Sequence, residues 1–187
     1  VGRGIYTAEQ AQQYFNGTEL SDPLLIADMD KAVQAIEEAV DNEVKITVYG
    51  DYDCDGVTST VMLFTHLDAI GADVNWYIPT REEGYGLNEN AIRKLHEDGT
   101  GLIITVDNGV SAVNEAELIY ELGMKLVVTD HHQLPEILPK AEAIVNPHRQ
   151  DDNSPYKELA GCGVALKLIM ALERDVEGVL EQYADLA

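Results

Sequence analysis

The chain has 187 residues, which suits one α/β domain, and 45% of them are hydrophobic, which excludes global disorder. Because no run of about 18 apolar residues occurs, no transmembrane helix is expected, and residues 1–10 lack the basic and apolar pattern of a signal peptide. The net charge of −22 argues against a protein that grips DNA through a basic face, unless acids bind cations or the DNA-gripping parts of a longer protein lie elsewhere.

The two cysteines, Cys54 and Cys162, form neither a metal-ligand spacing nor a disulfide framework. A reducing compartment is the simplest interpretation of this usage, so we expect a cytoplasmic protein.

Helices and strands are predicted to alternate along the chain. In chain order they are helix 7–15, helix 28–40, strand 45–49, helix 57–70, strand 74–78, helix 88–97, strand 102–106, helix 111–122, strands 125–129 and 143–145, and helix 163–173. Thr7, Asn88 and Ser111 are predicted to cap the helices that they begin, and Gly71 and Gly123 to end helices.

The predicted strands are short, rich in Val and Ile, and without polar alternation. This pattern is typical of strands buried on both faces of a parallel sheet. With helices between them, it predicts an α/β fold: a doubly wound, mainly parallel sheet with helices on both faces. Residues 1–40 are predicted to be a helical lead-in to a domain over residues 41–187.

Acids and imidazoles follow three of the predicted strands. They are Asp51, Asp53 and Asp55, then Asp107, then Asp130, His131 and His132. Because ligands of open parallel sheets lie at the carboxyl ends of the strands, these side chains are expected to meet at one edge. The two adjacent histidines are expected to diverge, so that both do not bind the same ion.

So many carboxylates at one edge repel one another unless cations lie between them. Carboxylates with imidazoles suit Mn²⁺ or Mg²⁺, while zinc stays possible without a thiolate set to favour it. Asp53 and Asp55, two apart on a predicted turn, could serve two metals about 3.5–4 Å apart. The alternatives are plain turns, or a Ca²⁺ loop over residues 51–55, although Met62 stands where such a loop needs a glutamate.

Three motifs resemble those of the DHH family of phosphoesterases. They are Tyr-Gly-Asp-Tyr-Asp-Cys-Asp-Gly-Val-Thr-Ser at residues 49–59, Val-Asp-Asn-Gly at 106–109 and Thr-Asp-His-His at 129–132. Further segments at residues 78–81, 83–87, 145–147 and 159–165 are similar, in the same order, to the branch of 5′→3′ exonucleases specific for single-stranded DNA. The resemblance runs from about residue 3 to the end of the chain, and it implies a metal-dependent phosphodiesterase in DNA repair and recombination.

The resemblance implies a role for each site residue. Asp53 would bind one metal, Asp55 and His131 the other, and Asp107 would bridge both. His132 would contact the substrate phosphate, so that His132 and Asp107 are the expected catalytic residues. Asp51 would be an outer ligand, and Asp130 would orient the site from outside it. Arg81 and Tyr85 would meet the nucleic-acid strand, by a phosphate contact and by base stacking. Residues 146–147 and 161–163 are expected to have structural roles, in a turn and in the packing of a helix.

The resemblance also implies parts that follow residue 187. A fourth motif, whose aspartate completes the metal site, is expected soon after residues 183–187, and Asp185 is expected to precede that ligand. We therefore expect residues 41–187 to be a catalytic domain that stops before the fourth motif. Its two-metal site for Mn²⁺ or Mg²⁺ would be incomplete, and its own nuclease activity weak.

Two other functions share this chemistry or this fold. Relatives that act on short oligoribonucleotides, cyclic dinucleotides or pyrophosphate place a histidine where this chain has Tyr49, which favours the exonuclease branch. A non-catalytic replication scaffold would not need the intact acids and histidines. The expected partners are single-stranded DNA, and a single-strand-binding protein or a helicase, with no membrane.

Overall fold

The computed structural model describes residues 5–16 and 20–187 of the chain. It contains a five-stranded sheet in the order β2-β1-β3-β4-β5, and all four strand pairs are parallel. The strands are β1 (Ile46–Tyr49), β2 (Val74–Tyr77), β3 (Leu102–Val106), β4 (Lys125–Thr129) and β5 (Ala143–Val145). The predicted α/β fold with a parallel sheet is confirmed.

Seven α-helices surround the sheet within the described ranges. They are α1 (Ala8–Asn16), α2 (Met29–Asp41), α3 (Cys54–Ala69), α4 (Glu89–Glu97), α5 (Val113–Glu121), α6 (Gly161–Glu173) and α7 (Val176–Tyr183), with a short 3-10 turn at Pro23–Leu25. That turn and α7 were not among the predicted elements.

Helices cover both faces of the sheet, as the doubly wound prediction requires. On one face, α2, α3 and α6 bury Ile46, Val48 and Ile104, and on the other α4 and α5 bury Ile103 and Val128. The chain winds outward from β1 to β2 and in the opposite direction from β3 to β5, so the strand order reverses between β1 and β3. In open α/β sheets this switch point is where ligands bind.

The edge strand β2 departs from the prediction of strands buried on both faces. Its residues are only partly buried, and Trp76 is 56% exposed. β2 pairs with β1 alone, so one side of it has no neighbouring strand. The segment Val-Asn-Trp-Tyr does not show by itself whether it lies at the centre or at the edge of a sheet, because that depends on which strands pair with it.

Three helix starts differ from those predicted. α3 begins at Cys54, three residues early, because Asp53 caps it by accepting from the Gly56 amide at 2.9 Å. Asp53 and Asp55 therefore lie at a cap and in a first helical turn, and the prediction of a free turn was wrong. α6 begins two residues early, at Gly161. α5 begins at Val113 without a side-chain cap, so the predicted Ser111 cap was wrong.

Other predicted ends are confirmed. Thr7 accepts from the Gln10 amide, and Asn88 from the Ala91 amide. Gly71 and Gly123 follow α3 and α5 with φ of 85° and 79°.

The proposed boundary at residue 40 falls inside α2, whose buried face belongs to the main core. In the proposed lead-in, residues 1–4 and 17–19 lie outside the described residues.

Candidate metal centre

The carboxyl end of β1 carries two of the predicted acids on its loop and a third on the helix that follows. Asp51 is only 2% exposed, and its Oδ1 has no hydrogen-bond partner in the described part of the chain. Asp53 is exposed at the start of α3, and Asp55 is half-buried in the first turn of that helix. A buried carboxylate oxygen without a donor is costly, so the Asp51 position favours a cation.

Asp55 is held by a helix that lies 106 residues further along the chain. Its Oδ2 accepts the Gly161 amide and its Oδ1 the Cys162 amide, both at 2.7 Å. Burial by itself would raise the pKa of Asp55, but these amides, with His131 nearby, hold it below its ordinary value. Asp55 is therefore a carboxylate with a fixed orientation.

Asp107 follows β3 and, like Asp51, is a buried acid with an unpaired oxygen. It is 2% exposed, has a left-handed backbone with φ of 61°, and its Oδ1 has no hydrogen-bond partner among the described residues. The Nε2 atom of His131 lies 3.1 Å from that oxygen. Burial, followed by the charges of Asp55 and Asp53, raises the pKa of Asp107 to about 8.

Asp130 follows β4 and is fully supplied with donors. Its Oδ2 accepts the Val110 amide at 2.9 Å, and its Oδ1 accepts the amides of His131 and His132 at 2.7 and 3.1 Å. Oδ1 also lies 2.7 Å from Nδ1 of His132. Although burial would raise it, the pKa of Asp130 is lowered by the His132 ring and the Val110 amide.

The two histidines do not diverge as predicted. Their ring centroids lie 4.5 Å apart with the planes tilted by 51°. The correction has a local cause, because Asp130 binds both backbone amides and the His132 ring. The side-chain bond to Asp130 also raises the pKa of His132. An ionised Asp130 holds the proton on Nδ1 and leaves Nε2 as the outer atom of the ring.

Two overlapping groups of side chains could hold cations. One is Asp51, Asp53 and Asp107, and the other is Asp107, His131 and His132; within each group the ligand atoms lie within 4.8 Å of one another. Asp107 belongs to both. The donor set of carboxylate oxygens and imidazoles, together with the unpaired buried oxygens of Asp51 and Asp107, fits Mn²⁺ or Mg²⁺.

The two residues that are predicted to contact the nucleic-acid strand lie in different surroundings. The Tyr85 hydroxyl donates to the backbone oxygen of Asp107 at 3.0 Å and lies 3.3 Å from Nδ1 of His132. Arg81 is exposed, with its guanidinium 5.2 Å from the ring centre of Tyr52. Tyr85 thus borders the acidic group directly, whereas no described contact joins Arg81 to the acids.

Two residues at the site were not predicted to act there. Buried Asn146 donates from Nδ2 to the His132 backbone oxygen at 3.0 Å, and so fixes the strand end from the neighbouring loop. Gly161 approaches both Asp55 and Asp107. The sequence predicts only turn and packing roles for their segments, because no local pattern signals contacts so distant in sequence.

Within the described ranges, no helix is long and apolar enough to cross a membrane.

The fold and the acidic edge define a class of protein. The family model described as "DHH family, N-terminal domain" matches residues 45–187. The chain therefore belongs to the DHH family.

Within that family the chain is similar to RecJ proteins. It is 46% identical over 175 residues to the single-stranded-DNA-specific exonuclease RecJ of Bacillus subtilis, a match that covers 92% of this chain. A crystal structure of exonuclease RecJ bound to manganese matches with a TM-score of 0.80 and 35% identity over 90% of this chain. RecJ of Thermus thermophilus matches with TM-scores of 0.74 in complex with Mn²⁺ and 0.59 in complex with Mg²⁺, at 30% and 29% identity over 95% of this chain.

The chain spans only part of these proteins. It covers 22% of the B. subtilis protein, 43% of the manganese-bound chain, and 26% and 23% of the two Thermus chains.

Proposed function

We propose that this chain is the metal-binding core of a 5′→3′ exonuclease that hydrolyses phosphodiester bonds of single-stranded DNA in repair and recombination. The observation that carries the proposal is the pair of ligand groups that share Asp107 at the sheet's switch point. The 46% identity to a single-stranded-DNA-specific exonuclease supports the substrate class. The function belongs to the cytoplasm, where single-stranded DNA and its binding proteins or helicases would be its partners.

Mn²⁺ or Mg²⁺ is the proposed cofactor, in a two-metal site. Asp53, with Asp51 beside it, would hold one cation, His131 and Asp55 the other, and Asp107 would bridge them. The membership of Asp107 in both groups supports the bridging role. Asp55 can serve while it accepts two amides, because each carboxylate oxygen has a second lone pair.

The chain's own groups divide the work of hydrolysis. Two bound divalent cations would supply neutralisation of the phosphate charge and a lowered pKa for the attacking water. Asp130 holds the His132 ring by Nδ1, and a protonated Nε2 would be a donor toward the phosphate. That donor can stabilise the charge that develops on a phosphate oxygen. Arg81 and Tyr85 would contact the DNA strand beyond the scissile bond.

The alternative substrates of the family fit less well. Relatives with those substrates use a ligand at the position of Tyr49, but this ring is fully buried and its hydroxyl donates to the Gly86 backbone oxygen. Tyr49 therefore serves packing in this chain. The paired ligand groups also disfavour a scaffold without catalysis, since a scaffold has no need for unpaired buried carboxylates.

The test is metal-dependent binding of a 5′-phosphorylated single-stranded oligonucleotide, followed by fluorescence anisotropy with Mn²⁺ and with EDTA. We expect weak binding that requires Mn²⁺, because the net charge of −22 opposes a polyanion. Duplex DNA, an oligoribonucleotide and pyrophosphate serve as competitors, and Asp107→Asn as the matched variant. Binding that is tight without metal, or stronger competition by pyrophosphate or RNA than by single-stranded DNA, would overturn the proposal.

A further inference from the structure

The first turn of α6 faces two of the proposed ligands at once. The amides of Gly161 and Cys162 donate to the two oxygens of Asp55, both at 2.7 Å. The N-terminal end of a helix carries positive partial charge, which favours an ionised carboxylate at this place. The start of α6 thus keeps Asp55 charged and in one orientation.

Gly161 also meets Asp107, on its other side. A Cβ atom at Gly161 would lie 2.6 Å from Oδ1, 2.7 Å from Cβ and 2.8 Å from Cγ of Asp107. A Cβ carbon does not come this close to atoms to which it is not bonded, and Asp107 is almost fully buried, so it could not move aside freely. The residue is glycine because Asp107 occupies the space of a side chain.

Helix α6 is held in place by its packing in the core, so Gly161 at its start cannot shift easily. Val164, Ala165 and Leu168 on this helix are fully buried, and the helix packs against α2 and α3 in the main core. A displacement at Gly161 would therefore be passed to the carboxylates rather than absorbed by the helix.

We propose that the first two residues of α6, Gly161 and Cys162, form a positioning element of the metal centre, with Gly161 as the positioning residue. The amides of Gly161 and Cys162 orient Asp55, and the missing side chain of Gly161 leaves room for Asp107, which would be a ligand to both cations. This inference rests on the proposed metal centre, and it adds a residue that binds no metal itself.

The principal test is Gly161→Ala, with Gly163→Ala in the same helical turn as the matched control. A Cβ at Gly163 would lie 3.2 Å from Leu159 Cδ2, the end of a flexible side chain. Calorimetric titration with Mn²⁺ should show an affinity at least about 10-fold lower for Gly161→Ala, the size of effect expected for groups that orient ligands. Gly163→Ala should bind Mn²⁺ like the parent chain. Equal affinities in both variants, with circular dichroism showing both folded, would overturn the inference.

A second measurement does not depend on the folding of Gly161→Ala. In EDTA, the amide protons of Gly161 and Cys162 should exchange at least about 10-fold faster in Asp55→Ala than in the parent chain, since they lose a charged acceptor. The Val164 amide, which donates to the Ala160 backbone oxygen, is the internal reference and should not change. Unchanged exchange at Gly161 and Cys162 would overturn the positioning of Asp55.

Asp107→Ala in the same Mn²⁺ titration tests the proposed metal centre separately from the positioning role of Gly161. If this variant loses Mn²⁺ and a folded Gly161→Ala keeps it, the metal centre stands and the positioning role of Gly161 falls. If Asp107→Ala binds Mn²⁺ like the parent chain, the proposed centre falls and the inference falls with it.

Discussion

The ends of β3 and β4 carry the same residue type at nearly the same burial. Asp107 is 2% exposed and Asp130 is 1% exposed, and the two strands are neighbours in the sheet. Asp130 accepts from three amides and the His132 ring, whereas Asp107 Oδ1 lies 3.1 Å from Nε2 of His131 but makes no hydrogen bond in the described part of the chain. The pKa of Asp130 is accordingly lowered, and that of Asp107 is raised to about 8.

The number of protein donors at each carboxylate determines what that acid can do. Asp130 accepts four contacts from protein donors, three of them at Oδ1, and through these it orients its neighbours. Asp107 has an unsatisfied oxygen at the strand-order switch, so a cation would relieve both its desolvation and its repulsion with Asp53 and Asp55.

The largest expected effect is a contrast between these two acids in metal binding. Asp107→Asn should weaken Mn²⁺ binding by at least about 100-fold, because it removes a shared ligand, and Asp130→Asn by about 10-fold, because it only disturbs ligand orientation. Isothermal titration calorimetry measures both affinities. A greater loss for Asp130→Asn than for Asp107→Asn would reverse the comparison.

The next largest effect separates the two histidines that Asp130 holds. His131→Ala should weaken Mn²⁺ binding by roughly 10-fold or more, because it removes a proposed ligand, and His132→Ala should leave it nearly unchanged. In a longer chain that cleaves DNA, His132→Ala should instead lower kcat by about 10²–10³, and extra Mn²⁺ should not restore it. If both variants lost metal affinity equally, both rings would be ligands.

A smaller effect should appear in the pH dependence of stability without metal. The unfolded pKa of an aspartate is about 3.9, while that of folded Asp107 is about 8. The folded state therefore binds the extra proton, and this group's contribution to stability falls as pH rises from about 4 to about 8.

The contribution of Asp130 to stability has the opposite sign. Its lowered pKa stabilises the fold above about pH 4, and this contribution is lost on acidification.

Thermal melts in EDTA test the contribution of Asp107. The melting temperature should decrease from pH 5 to pH 8, and the decrease should be smaller for Asp107→Asn than for the parent chain. An equal decrease in melting temperature for the variant and the parent chain would mean that the pKa of Asp107 is not raised.

The smallest effect concerns Tyr85, which contacts both strand ends through the Asp107 backbone oxygen and the His132 ring. Tyr85→Phe should lower the free energy of unfolding by about 1 kcal/mol, the net value of one hydrogen bond, measured by urea denaturation in EDTA. Tyr85→Phe could have the same free energy of unfolding as the parent chain while Tyr85→Ala weakens DNA binding. In that case the ring of Tyr85, and not its hydroxyl, would be the functional part.

Much of the fold followed from local pattern. Short Val- and Ile-rich segments predicted all five strands, and the strand-end rule predicted that Asp53, Asp107 and His131 would come to one edge. The status of β2 as an edge strand did not follow, because its exposure depends on which strand pairs with it.

The class of fold, the edge that carries the acids and the family could all be predicted from the amino-acid sequence. These depend on periodicity and on motif order, which are properties of short segments. Which acid has hydrogen-bond donors and which has an unpaired oxygen depends on the folded arrangement. Asp107 and Asp130 look alike as strand-end aspartates. The pKa of Asp130 is lowered by the His132 ring and the Val110 amide, whereas the pKa of Asp107 is raised by burial and by the charges of Asp55 and Asp53. Burial and hydrogen bonding act through space, so residue type and spacing do not encode them.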